Sequence, residues 1–486
     1  MTRRGTTAAL LVALLATATA LRLYHLGSWG LEGAEIFTLR DSLTTRTLRG
    51  SRPLLFFFNY HLIRPTFGLD ELGIRILPAV FGILSVPVLY WVTRAAVGAR
   101  PALFACTLLT FSSLLVYRSQ FARYWTLVFL LCSAYPILIY LGLRDGRWGR
   151  VALGLVVAVL AILAHPASVL LAGGLGLWML ISALGSSTLQ PRVRTALRWA
   201  LVAVGVIALI VAVRLLPMLE SWIATPHMRR LRGPALILSH VDGLTAPVVI
   251  AAGAGIIWLA RQDRSLALLL AALALVPALF LSLLSYWTAV STVYLFPTAP
   301  VAFIGAGIFL DRLTRLPGSE RQGAFASATV LAMLLAGNVP GIISQYRDGG
   351  RADFRSAAEF LSGRARASDL VVADQPRTVG HYLEGRSVTL LHRDPGALEA
   401  AYTKAGADRG GTLWVVALAG QRGGFKAHKL GLATLSEWLY DRCRLRASYG
   451  RARLDWRSNE VQVFECSPTT AATSPAVTPA TGSATR

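Results

Sequence analysis

Apolar stretches of close to 20 residues recur along the first two thirds of the chain, separated by short polar connections. The hydrocarbon core of a bilayer is about 30 Å thick, which a helix of about 20 apolar residues crosses. Each stretch therefore predicts a transmembrane span. About eleven are placed this way, at 7–24, 73–95, 101–117, 123–143, 150–164, 167–185, 199–217, 241–260, 265–285, 293–311 and 323–343. His165-Pro166 alone divides the fifth from the sixth, so these two are open to being one broken span. The first stretch has small residues suited to signal cleavage from Ala16 to Ala20, but the spans that follow it favour a retained helix. Between the first two spans, 36–48 and 54–67 read as helices lying along the membrane surface, rich in Phe, Leu and Tyr.

The pattern changes near Gln345. Residues 354–364 have the period of an amphipathic helix, 369–373 and 412–418 read as strands, 430–440 as a helix, and 461–465 as a strand with period-2 alternation. The tail from Ser467 is made of Thr, Ala, Pro and Ser and predicts disorder. The expected architecture is a polytopic α-helical membrane protein of about 11 transmembrane helices, with surface helices in the first outer loop and a C-terminal extracytoplasmic α/β domain. Its expected divisions are 1–344, 345–466 and a disordered tail 467–486.

Composition agrees: 54% of the 486 residues are hydrophobic and 15% charged, against about a quarter charged in a soluble domain. The net charge of +23 comes almost wholly from Arg, since only three Lys occur. These Arg sit in loops between apolar spans, so membrane orientation and anionic lipid explain them better than nucleic acid does. With the N-terminus inside, every inner loop is basic: Arg94 and Arg100; Arg144, Arg147 and Arg150; Arg192, Arg194 and Arg198; Arg261 and Arg264; Arg312, Arg315 and Arg321. An odd number of spans then puts the C-terminal domain outside. There Cys443 and Cys466 have the opportunity to pair, whereas Cys106 and Cys132 fall within spans as small apolar fillers. No metal-ligand spacing occurs. A divalent cofactor is conceivable, but the sequence does not support one.

Some outer loops break the charge rule. Arg40, Arg46, Arg49, Arg52 and Arg64 lie in the first; Arg118 and Arg123 flank another; Arg229, Arg230 and Arg232 follow His227, and Arg214 lies near the outer end of a span. As a set, basic residues kept outside point to an anionic ligand, with phosphate the natural choice. Any one of them is equally well read as a solvated loop charge or a lipid-headgroup contact.

Several segments occur in the order of a known family. They are Leu21-Arg22-Leu-Tyr-His-Leu-Gly27, Trp29-Gly-Leu-Glu32-Gly-Ala-Glu35, Pro53-Leu-Leu-Phe-Phe, Gly73-Ile-Arg75-Ile-Leu-Pro-Ala-Val-Phe-Gly82, Val116-Tyr-Arg-Ser-Gln-Phe-Ala-Arg123-Tyr124, Tyr294-Leu-Phe-Pro-Thr-Ala-Pro300 and Asp353-Phe-Arg-Ser-Ala-Ala-Glu-Phe-Leu361. Together they resemble the GT-C class of polytopic glycosyltransferases that use polyprenyl-phosphate sugars, in the branch of protein O-mannosyltransferases and aminoarabinose transferases. The chain departs from that pattern in four places. An adjacent Asp-Glu pair becomes Leu31-Glu32 or Ala34-Glu35, Ser51-Arg52 stands where a His is expected, Phe121 stands for a Glu, and Val293 for an Arg.

The resemblance implies inverting transfer of a sugar from a polyprenyl-phosphate donor to a glycolipid, polysaccharide or protein acceptor at the outer face. Such chemistry needs a base for the acceptor hydroxyl and a cation for the departing phosphate. Glu35 and Glu32 are the candidate bases; Asp41, Asp70, Glu71, Glu220 and Asp242 are the other carboxylates on that side. Arg123 leads the candidates for phosphate, followed by Arg118, Arg214, Arg229 and Arg230, with Tyr124 and His165 as further ligand contacts. Each has a plainer role available: surface-helix pair, snorkelling anchor, aromatic-belt residue, helix end. The missing Asp also leaves open a non-catalytic relative that binds lipid-linked sugars. A transporter is less well supported, because the chain shows no internal repeat and its charges sit at span ends.

Overall fold

The computed structural model describes residues 3–47, 53–185, 195, 198, 231–288, 290–315, 319–384, 386–391, 395–409, 411–418, 432–450 and 460–467. The chain forms two units, one of Met1–Ser28 with Thr38–Arg347, the other of Trp29–Phe37 with Asp348 onward.

In the first unit, seven helices among the described residues are long and apolar enough to cross a bilayer: Gly5–Leu23, Gly73–Val97, Trp125–Asp145, Pro166–Leu184, Arg264–Leu284, Thr292–Leu313 and Glu320–Arg347. The chain is a polytopic helical membrane protein. Two helix pairs pass the same test only when taken together. Ala99–Thr110 and Ser113–Ser119 are bent by 62°, and Pro234–Leu244 and Ala246–Leu259 by 98°. The stretches 101–117 and 241–260, expected as single spans, are therefore both broken. The expected span 199–217 and the tail after Ser467 lie outside the described residues. The connection between the first two spans holds the helix Gly33–Thr44 and, from Leu54 to Phe67, a helix with a π-helical turn at Asn59–Ile63.

A broken span frees backbone groups that lipid cannot satisfy, so protein groups must do it. At the first break, the buried Arg22 guanidinium donates to the carbonyls of Leu109 (3.3 Å) and Thr110 (3.4 Å), the end of the preceding helix. A cation there also complements the helix dipole. Across the break, Ser112 caps the next turn by accepting from Leu115 N–H, and Asn338 Oδ1 accepts from Ser113 N–H at 3.0 Å. The end of the first helix is served in turn by Gln120, whose amide donates to the carbonyls of Leu21 (3.3 Å), Arg22 (3.4 Å) and Tyr24 (2.7 Å). Gln345 donates to Gln120 Oε1 at 2.7 Å, and the Tyr346 hydroxyl donates to Leu21 carbonyl. At the second break, Thr245 turns the chain with a φ of 67° and Pro247 opens the next helix, where its missing N–H is no loss. Close packing follows from small residues. A Cβ on Gly255 would meet the Gly305 carbonyl at 1.9 Å, so the helices Ala246–Leu259 and Ala299–Leu313 touch backbone to backbone.

The second unit is a five-stranded sheet in the order β2-β1-β3-β5-β4: β1 is Leu370–Ala373, β2 Val388–Leu390, β3 Leu413–Leu418, β4 Arg444–Tyr449 and β5 Val461–Cys466. The first three strands are parallel, and β5 is antiparallel to β3 and β4. Period-2 alternation gives each face its own core. Val371, Ala373, Trp414, Val416, Val461 and Val463 pack with Phe354 and Leu361 on one side. Val372, Leu413, Val415, Ala417 and Phe464 pack with Leu398 and Leu439 on the other. Cys443 and Cys466 form a disulfide that ties the start of β4 to the end of β5.

The bridge closes a loop with a sequence separation of 23. Its removal in a Cys443→Ala/Cys466→Ala variant is expected to destabilise this unit by about 3 kcal/mol. Denaturation of the full-length protein, followed by the fluorescence of Trp414 and Trp438, measures it. A loss well under about 1 kcal/mol would mean that the sheet holds its ends unaided.

Candidate functional site

The candidate residues fall into two groups, one in each unit. In the membrane unit, the broken span leads through Gln120 into a short turn, and that turn delivers Arg123 and Tyr124 to the start of the helix Trp125–Asp145. The half-buried Arg123 guanidinium donates to Thr38 Oγ1 at 3.2 Å and to the Tyr124 hydroxyl at 2.9 Å, and it lies 4.6 Å from the centre of the Tyr124 ring. The fork is thereby held in place on two sides.

Tyr124 begins a run of rings. His165 stacks on it with centroids 4.6 Å apart and planes 22° apart, and Tyr294 stacks on His165 at 5.7 Å and 29°. Trp125 packs against His165 at 4.8 Å, and Phe56 lies 6.4 Å from Tyr124. Sequence order concealed this assembly, because the rings come from three separate spans and the helix Leu54–Phe58. Tyr294 and Phe56 were noticed only as parts of motifs, and Trp125 and Thr38 carried no signal of their own.

His165 sits where the helix Trp148–Ala164 ends, in extended backbone forced by Pro166. Its Nδ1 accepts from Ala167 N–H at 3.1 Å, capping the following turn. An Nδ1 that accepts carries no proton, so the ring is neutral with its proton on Nε2. Among the described residues, no group accepts a hydrogen bond from that Nε2. Burial lowers the imidazole pKa from 6.5 to about 4, with the charge of Arg123 acting in the same direction. Burial likewise raises the Tyr124 phenol above its ordinary value, against the opposing pull of Arg123.

Arg118 lies over the rings of Tyr117 (5.4 Å) and Phe121 (5.8 Å), which stack on each other at 5.4 Å. Phe121, where the family pattern has Glu, thus serves as a platform for a cation. Arg214, Arg229 and Arg230 lie outside the described residues, as do His227 and Glu220.

The second group belongs to the C-terminal unit. Residues 29–37 thread along it: Leu31 N–H donates to the Tyr382 hydroxyl at 2.7 Å, Gly33 N–H to Gln375 Oε1 at 3.1 Å, and the Arg377 guanidinium lies 4.5 Å from the Phe37 ring. Glu35 is fully buried, and its Oε2 accepts from Arg351 at 2.9 Å and from Glu32 N–H at 3.0 Å. The second bond is a capping interaction at the start of the helix Gly33–Thr44, an N3 carboxylate reaching back to the N-cap backbone. One oxygen of Glu35 is thus committed to structure, whereas Glu32 is half-buried. Arg351, which lies 316 residues from Glu35 in sequence, escaped sequence reasoning altogether. Among the described residues, no group of three His, Cys, Asp or Glu is arranged to hold a metal ion.

Solved structures of similar shape exist. ArnT from Cupriavidus metallidurans in the apo state superposes with a TM-score of 0.59 at 16% identity, covering 95% of this chain and 98% of that one. The same protein bound to undecaprenyl phosphate gives 0.58 at 16% identity, with 95% and 99% covered. The archaeal oligosaccharyltransferase AglB from Archaeoglobus fulgidus, in complex with an inhibitory peptide and a dolichol-phosphate, gives 0.54 at 14% identity, with 91% and 73% covered. The chain has the GT-C fold. No family model and no curated protein matches it in sequence. The GT-C resemblance read from ordered motifs is therefore matched at the level of fold, across almost the whole of ArnT.

Two predictions follow from these groups. Glu35→Gln or Arg351→Met alone is expected to cost about 3–5 kcal/mol, because each leaves a buried charge without its counter-ion. The double variant should recover a large part of that loss, and additive losses in a melting series would show that the pair is not coupled. For His165, the unfolded chain takes up a proton near pH 6.5 and the folded protein only near pH 4. The unfolded state binds more protons between these values, so this stability is present above pH 6.5 and is lost as pH falls toward about 4. Relative to a His165→Asn variant, the wild-type melting temperature should decline across that window; parallel curves would refute it.

Proposed function

We propose that the chain is a membrane glycosyltransferase that moves a sugar from a polyprenyl-phosphate donor to a glycolipid, polysaccharide or protein acceptor at the extracytoplasmic face. The observation that carries this reading is the Arg123 guanidinium, held by Thr38 and Tyr124 beside a run of aromatic rings. The setting supports it. The same fold occurs in a protein solved with undecaprenyl phosphate and in another solved with a dolichol-phosphate. Arginine suits the leaving group, since its planar fork meets phosphate oxygens in pairs and stays charged at every working pH.

In the reaction, the acceptor hydroxyl attacks the anomeric carbon and gives its proton to a carboxylate. The bond from that carbon to the phosphate oxygen breaks, and the polyprenyl phosphate leaves with the electron pair. A single displacement inverts the anomeric centre. Glu32 and Glu35 remain the candidate bases that the family resemblance implies; Glu35 already accepts from Arg351 and from the helix start. The loops between spans favour a cytoplasmic N-terminus. The disulfide supports an oxidising, extracytoplasmic setting for the C-terminal unit.

A binding-only relative is the second reading, favoured by the burial of Glu35 in an ion pair. Membranes containing the protein, supplied with radiolabelled polyprenyl-phosphate sugars, separate the two. Transfer should depend on the protein and fall about 10²–10³-fold in Arg123→Ala and about 10²–10⁴-fold in Glu32→Ala. Donor binding without transfer, weakened in Arg123→Ala, would instead establish the binding-only relative.

A further inference from the structure

Resting on that reading, we infer that His165 recognises the sugar of the lipid-linked donor, its Nε2–H donating to a neutral oxygen such as a ring hydroxyl rather than to the phosphate. Three features lead there. Tyr124 and Tyr294 both stack on the imidazole, and Trp125 packs beside it, so a ligand approaches the ring at its Nε2 edge. The bond from Ala167 N–H to Nδ1 fixes both the tautomer and the direction of the Nε2 proton. The donor is therefore rigid, single and uncharged.

The same bond decides which kind of acceptor suits it. A phosphate oxygen against Nε2 would draw a second proton onto the ring, as an anion beside an imidazole does. That proton could enter only at Nδ1, where it would face Ala167 N–H donor to donor and break the cap. Among the described residues, the ionisable groups that face the ring are Arg123, Tyr124 and Tyr294, and none of them is an anion that would favour imidazolium. The site resists a charged His165 and accommodates a neutral acceptor. Phosphate, meanwhile, has the planar guanidinium fork of Arg123. The arrangement divides the donor between two residues, charge to Arg123 and hydroxyl to His165.

The test uses purified full-length protein in nanodiscs, titrated with undecaprenyl phosphate and with its mannose and arabinose esters. Two variants separate the roles of the two ring nitrogens. In His165→Asn the amide oxygen stands close to the Nδ1 position and keeps the cap while the Nε2 donor is lost. In His165→Gln the longer amide restores a donor near Nε2. The wild type should bind at least one ester more tightly than the bare lipid. His165→Asn should weaken that ester about tenfold, the order of one lost hydrogen bond, and leave undecaprenyl phosphate unchanged. His165→Gln should recover most of the ester affinity. Equal weakening for ester and bare lipid would place His165 on the phosphate and overturn the inference. So would the reverse order of the variants, Asn harmless and Gln damaging, which marks a helix cap alone. Esters no tighter than the bare lipid, with Arg123→Ala abolishing both, would overturn the inference and leave the proposed function standing. A wild type that binds neither lipid overturns both.

Discussion

The structure turns on a constraint that water-soluble proteins escape: where a helix breaks inside a membrane unit, its freed carbonyls and amides must be met by the protein itself. Arg22 does this for the carbonyls of Leu109 and Thr110, Asn338 for the amide of Ser113, and Gln120 for the end of the first helix. With those debts met, the chain can bend by 62°, run the short helix Ser113–Ser119 and turn at Gln120. Arg123 and Tyr124 follow within four residues. The residues proposed to handle phosphate are therefore placed by a polar knot of Arg22, Gln120 and Asn338. Arg22 entered the sequence reading only as part of an ordered motif; its role in the fold is to make the break beside it tolerable.

Hydropathy disclosed the rough position of the seven long spans among the described residues, because a run of about 20 apolar residues has few other uses. It could not disclose the breaks. Nothing within 101–117 announces a bend, since the residues that stabilise it, Arg22 and Asn338, lie far off in sequence. The C-terminal sheet was legible where strands are buried on both faces, as in Leu413–Leu418 and Val461–Cys466. It was illegible at Val388–Leu390, three residues long, and at Arg444–Tyr449, whose exposed Arg444 and Arg446 mask the alternation.

The two acidic candidates show how burial sorts residues that sequence treats alike. Glu32 and Glu35 are three positions apart and were interchangeable as bases. Folding gives Glu35 a buried guanidinium and a helix start to cap, both of which fix the carboxylate in place. For His165, too, only the fold supplies the fact that matters, which nitrogen holds the proton.

The thread of residues 29–37 along the C-terminal unit also bears on how that unit can be handled. It is one body assembled from two stretches of chain, so no single cut releases it whole. A fragment beginning at Asp348 would keep Arg351 and lose Glu35, and would leave Tyr382 and Gln375 without the amides of Leu31 and Gly33. Such a fragment would resemble an enzyme body missing its own peptide, and a synthetic nonapeptide of residues 29–37 would be its natural complement.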